Sequence, residues 1–136
     1  MTTSDLQHLE RELKISLPSD YKSLMTAYPF PPDSLSADCL LPDSVDSLLK
    51  ISRSRQKLPP HSFVIGDDSA DETYFLDVSQ EHSPVFVFDV PTGKVRERFP
   101  SLVAYVEHCK ETDGKLRRYA KLVENRKWWQ FWVPKL

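Results

Sequence analysis

Glycine is scarce in this chain. Gly66, Gly93 and Gly114 are the only three in 136 residues, and no GxGxxG or GxxxxGK[ST] run exists. A backbone cradle for phosphate needs such a run, since close approach of successive N–H groups to an anion tolerates little side chain. That class of nucleotide site is excluded, and no GxSxG elbow is present either. The histidines, His8, His61, His82 and His108, stand singly, without an HxH or HExxH pair. The spacing that seats zinc is therefore missing, and no metal, no cofactor and no small-molecule ligand is expected. Cys39 and Cys109 are far apart and follow no CxxC pattern, which fits free reduced thiols in a cytosolic protein. No strictly apolar run exceeds five residues, against the roughly 20 residues that cross a bilayer as a helix. The opening MTTSDLQHLERELK holds no apolar run and does not read as a secretory signal. The expectation is a cytoplasmic chain with no membrane partner.

Positive charge is also missing, but only locally. From Leu58 to Gly93 there is no Lys or Arg, while Asp67, Asp68, Asp71, Glu72, Asp77, Glu81 and Asp89 all fall there. The formal net charge of −2 conceals this split: residues 1–93 carry 15 acidic and 7 basic side chains, residues 94–136 carry 5 and 11. Such a balance does not suit a nucleic-acid binder, and none is expected as a partner. It does suit steering of a charged protein.

What is present reads as one α+β domain over residues 1–136, with a mainly antiparallel sheet of about four to six strands and helices at both chain ends. The apolar runs Phe63–Ile65, Tyr74–Val78, Val85–Val90 and Val95–Phe99 are separated by connectors too short for crossover helices, so successive strands must pair antiparallel. Val85–Phe88 is apolar on both faces and should be central and covered on both sides. Pro91-Thr92-Gly93 is the sharpest turn signal, with Gly93 at the left-handed position of a three-residue hairpin. Beyond it Lys94, Arg96 and Arg98 alternate with Val95, Glu97 and Phe99, predicting one wet basic face and one opposite face.

Ser4 with Gln7 predicts a capping box for a helix over 5–14, with Leu6, Leu9 and Leu13 on its buried face. Pro18 is placed to start a second helix that buries Leu17, Tyr21, Leu24/Met25 and Tyr28, and Pro29 to end it. The proline-rich connector over 29–42 predicts at most a short edge strand at Asp38–Leu41. Asp43 or Ser44 caps a third helix. Pro100-Ser101 opens a fourth, with Leu102, Tyr105, Val106 and Cys109 as its stripe, and Gly114 is expected to break it. A fifth, over 115–127, should turn Leu116, Tyr119, Ala120 and Val123 inward.

Two features carry functional weight. The acidic loop Asp67-Asp68-Ser69-Ala70-Asp71-Glu72, extended to Glu81, admits three readings: a solvated hairpin, an acidic docking surface for a basic protein, or a hard-cation site, although the D-x-D-x-D-G order and distal Glu of an EF-hand are absent. The tail, with Trp128, Trp129 and Trp132, admits core closure, a partner surface, or a membrane-interface anchor helped by Arg126, Lys127 and Lys135. No catalytic residue is assigned. His108 and Cys109 are helix neighbours whose side chains diverge by about 100°.

The order of parts resembles the SUKH superfamily. Leu17-Pro18-Ser19-Asp20-Tyr21-Lys22-Ser23-Leu24 is similar to its opening L-P-x-D-Y-x-x-x-L pattern. Ile65-Gly66-Asp67-Asp68, Tyr74-Phe75-Leu76-Asp77, Pro84 to Phe88 and Pro91 to Val95 look like its sheet, and Ser101 to Val106 like its closing helix. The likeness covers about residues 6–109, leaving the C-terminal helix and Trp-rich tail, 113–136, outside it. Two positions depart from the family's pattern: Tyr28-Pro29-Phe30-Pro31-Pro32 stands where a glycine usually follows the second helix, and Asp68-Ser69-Ala70-Asp71 replaces a glycine-rich loop. The resemblance implies an α+β fold and non-enzymatic work. Many bacterial members are immunity proteins that bind and block a toxin, often a nuclease or deaminase; others are interaction hubs. It therefore implies a protein partner, with a basic toxin domain as the candidate. The alternative is a regulatory scaffold that docks its partner through the Trp-rich tail.

Overall fold

The computed structural model describes residues 1–54 and 57–126, with the side chains of 120 and 123–126 set aside. The elements are α1 (Thr3–Leu13), α2 (Ser19–Thr26), a π-helical turn (Ser36–Leu40), α3 (Val45–Ser54), β1 (Ser62–Asp67), β2 (Glu72–Asp77), β3 (Val85–Asp89), β4 (Lys94–Phe99) and α4 (Leu102–Arg126). The fold is α+β with helices at both ends, as expected. The strands form one antiparallel sheet in the order β1-β2-β3-β4, which makes β2 and β3 central.

One sheet face carries the core. Phe63, Ile65, Tyr74, Leu76, Val85, Val87 and Phe99 pack there with Leu6 and Leu9 of α1, Tyr21 and Met25 of α2, Leu40 of the π-helical turn, Leu48 of α3, and Leu102, Tyr105 and Cys109 of α4. The opposite face is only partly covered. Val64, Phe75 and Phe88 make a small second cluster, to which Ile51, Leu58 and Phe86 add partly buried side chains. Val85–Phe88 is thus central, but covered fully on one face alone; Phe86 is half-buried.

Gly93 takes the left-handed conformation, φ 70°, and its N–H donates to the Asp89 carbonyl at 2.7 Å. β4 departs from simple alternation. A bulge between Val85 and Phe86 sets Phe86 against Glu97 but Val85 against Phe99. One extra residue, Arg98, sits between the pairs, so Phe99 turns to the core face while Val95 and Glu97 stay on the open one. A second bulge lies between Val64 and Gly66 on β1. Gly66 lies against the π-helical turn so closely that a Cβ there would meet the Leu40 carbonyl oxygen at 2.0 Å.

Four further expectations are corrected. α1 is capped by Thr2, whose side chain accepts from the Asp5 N–H at 3.1 Å while Asp5 reaches back to the Thr2 N–H at 2.9 Å; the box lies two residues ahead of Ser4. Asp38–Leu41 is no edge strand: residues 36–40 coil into the π-helical turn, held by the Asp113 carboxylate, which accepts from the Ser36 N–H at 3.2 Å and hydroxyl at 2.7 Å. Gly114 does not break α4, which runs unbroken for 25 residues. A mid-helix glycine costs only about 1 kcal/mol, and the Glu111–Lys115 pair at 3.3 Å spans the position. Finally, Leu116 and Tyr119 do not point inward; they are 45% and 67% exposed.

Candidate functional site

The β1–β2 loop and the β3–β4 turn lie at the same end of the sheet. Glu72 is in register with Asp89 and Asp89 with Lys94, and the Val90 N–H donates to the Asp71 carbonyl at 2.8 Å. Asp67, Asp68, Asp71, Glu72 and Asp89 therefore gather at this end. Glu81 does not. It belongs to the β2–β3 connection, at the opposite end of the antiparallel β2, and helps shape α2 instead. Pro18, the α2 cap residue, makes no side-chain cap hydrogen bond. In its place the Glu81 carboxylate accepts from the Ser19 N–H at 3.3 Å and from the Ser19 hydroxyl. These two donors hold Glu81 below the usual carboxylate range.

The acidic loop owes its shape to its own carboxylates. Asp67 accepts from the Ser69 N–H at 2.8 Å; Asp68 accepts from the Ala70 and Glu72 N–H groups at 2.9 and 3.0 Å. Ser69 sits in the left-handed region, φ 63°. Short polar side chains that bond the backbone two residues on favour such turns. Glu72 accepts from the Tyr74 hydroxyl at 2.9 Å and faces Arg96 at 3.9 Å. Burial first, then the Glu72 bond, raises the Tyr74 phenol above its ordinary value, so it stays a donor at neutral pH. Asp71 makes no side-chain contact of this kind among the described residues and is exposed. Of the acidic set it is the carboxylate freest to meet a partner.

Apolar surface adjoins this end, which sequence patterning did not single out. The register places Asp67 against Thr73, Thr73 against Phe88, and Phe88 against Val95, as one row across the open sheet face. Val95 is 42% exposed. The neighbouring row holds Val64, Phe75, Phe86 and Glu97, with the Phe75 and Phe86 rings stacked at 5.5 Å. An exposed Val95 opposite an aromatic was readable only once the β4 register was known.

Nothing in this arrangement activates a nucleophile. Cys109 is buried and desolvation pushes its thiol up to about 12, leaving it protonated at neutral pH. His108 is half-buried, its ring 5.0 Å from that of Phe99, and burial lowers its pKa. Among the described residues no three His, Cys, Asp or Glu side chains converge as metal ligands would, and no helix is long and apolar enough to cross a membrane. Trp128, Trp129 and Trp132, the second candidate surface, lie outside the described residues.

The model of the SMI1 / KNR4 family (SUKH-1) matches residues 1–108, and the chain belongs to that family. No curated protein and no solved structure matches it.

Proposed function

We propose that this SUKH-1 chain is a cytoplasmic protein-binding domain with no chemistry of its own: an immunity protein that occludes a basic toxin domain of the nuclease or deaminase type. SUKH domains are protein-interaction modules. The observation that carries the reading is the row from Asp67 through Phe88 to Val95. It joins a prebuilt acidic hairpin end to a partly open apolar sheet face. Interfaces combine apolar contact with a polar rim, and opposite charge speeds encounter. Because Asp67 and Asp68 are already bonded into the loop, little ordering entropy is lost on docking.

The test is binding to the protein encoded by the neighbouring reading frame, with Asp71→Lys and Val95→Asp as variants. Both positions are exposed, so each variant should fold. Asp71→Lys should slow association, more at low salt, and Val95→Asp should speed dissociation. If neither variant changes either rate, the acidic end and the open face are not where the partner lands. The alternative, a scaffold that docks its partner through Trp128, Trp129 and Trp132, predicts loss of that partner on deleting residues 128–136 and no effect of the two variants.

A further inference from the structure

The run Tyr28-Pro29-Phe30-Pro31-Pro32, between α2 and the π-helical turn, belongs to neither the acidic hairpin end nor the open sheet face. It walls a pocket of about 220 Å³, lined by Tyr28, Phe30, Pro32, Ala37, Asp43 and Ser44. The Tyr28 and Phe30 rings stand 72° apart with their centroids at 5.6 Å, so they form two walls of one corner. Both are held in place. Each precedes a proline, which confines its backbone to extended conformations, and the Tyr28 hydroxyl donates to the Leu41 carbonyl at 2.5 Å. A pocket fixed before binding loses little entropy when it is filled.

The polar side of the corner is a carboxylate. Asp43 accepts from the Met1 amine through Oδ1 at 2.7 Å, while its Oδ2 makes no hydrogen bond among the described residues. One oxygen thus already receives an ammonium, and the other remains available to a second donor. The local charge has the same sign. From Ser23 to Leu49 the chain has no Lys or Arg, but it carries Asp33, Asp38, Asp43 and Asp46. The N-terminus of α3 adjoins the pocket, and its partial positive charge is already answered by Ser44, which accepts from the Ser47 N–H at 3.3 Å, and by Asp46 in the first turn. Burial first, then the Asp43 carboxylate, raises the Tyr28 phenol above its ordinary value, so the ring stays neutral at pH 7.

These walls select a chemistry. An aromatic face attracts a cation lying within about 6 Å of its centroid, and a carboxylate oxygen takes a charged N–H donor. A guanidinium on an alkyl stem uses both, because it is planar, stacks on rings and donates in its own plane. An anion would be repelled, and an apolar group would leave Asp43 unanswered. The pocket also lies within reach of a partner at the acidic end. Ala37 lines it, and Cys39, two residues on, lies against Gly66 at the foot of the acidic loop.

We infer that this corner is the receptor for one arginine side chain of the protein partner. The inference rests on the reading of the chain as a binder of a basic protein, and adds to it a second, separate contact.

Nuclear magnetic resonance of the isotope-labelled full chain tests it without the partner. The probe is Nα-acetyl-arginine methylamide, with the corresponding citrulline derivative as its neutral isostere. The arginine probe should shift the signals of Tyr28, Phe30, Ala37 and Ser44 saturably, and the citrulline probe should bind roughly tenfold more weakly. Asp43→Asn and Phe30→Leu should each weaken the arginine probe several-fold. Asp43 is exposed, so Asp43→Asn keeps the measurement open should Phe30→Leu lose its fold. No shift in these signals, shifts confined to residues 67–72, or binding that survives both substitutions overturns the inference. Equal affinity for the two probes overturns it as well, since charge is then not what the pocket reads. So does much tighter binding of free arginine than of the blocked probe, because the ligand is then the amino acid itself. None of these results bears on the acidic hairpin end, which is read by the on-rate of the partner with Asp71→Lys.

Discussion

Glu81 accepts hydrogen bonds from Ser19, 62 positions earlier in the chain, and so supplies the N-terminal cap that Pro18 cannot. The contact ties the β2–β3 connection to the start of α2. Replacing Glu81 by Ala leaves the Ser19 N–H without its charged acceptor. The expected outcome is a melting temperature a few degrees lower at pH 7. The pH dependence has a definite sign. The folded-state pKa of Glu81 is depressed, so its contribution is complete above the ordinary glutamate range and fades as pH falls through the lower folded value. Thermal melts of wild type and variant should converge in strong acid; a gap that persists there would count against the cap.

Gly66 and Gly114 make a contrasting pair. A Cβ at Gly66 meets Leu40 O at 2.0 Å and Cys39 O at 2.6 Å, both backbone, so the π-helical turn must move. Gly66→Ala should cost about 3 kcal/mol, at the upper end of overpacking losses. A Cβ at Gly114 meets nothing within 4 Å, and Gly114→Ala should add roughly 0.5–1 kcal/mol through helix propensity. Urea titration of both variants checks the opposite signs.

Asp113 is 5% exposed and its carboxylate receives two donors from Ser36. Asp113→Ala leaves a buried N–H and a buried hydroxyl without that partner, each a loss of about 1–3 kcal/mol. Asp113→Asn keeps an acceptor and should cost less. Chemical denaturation separates them, and local hydrogen exchange should rise first in residues 36–40.

The sheet was legible because its signals are local. Four apolar runs, short connectors and Pro91-Thr92-Gly93 fix pairing and direction without reference to anything distant. The cap of α1 was not, because T-T-S-D-L-Q contains two boxes in the same few residues, Thr2 with Asp5 and Ser4 with Gln7, and local chemistry does not rank them. The π-helical turn depends on Asp113, 77 positions from Ser36, and Glu81's role on Ser19 is equally remote; sequence spacing carries neither. In β4 a single bulge residue reverses the face of Phe99, and alternation cannot reveal it. The acidic loop was visible as composition. That Asp67 and Asp68 are occupied with their own loop, while Asp71 makes no side-chain contact of that kind among the described residues, needed the fold.

The central claim, that the acidic hairpin end meets a basic protein partner, is tested most directly by association kinetics. The chain and its Asp71→Lys variant would be mixed with the product of the neighbouring reading frame, across a range of salt concentrations. Electrostatic steering predicts an on-rate for the variant lower by roughly threefold or more at low ionic strength, converging with wild type as salt screens the field. Equal on-rates at every salt concentration, or no complex at all, would contradict it.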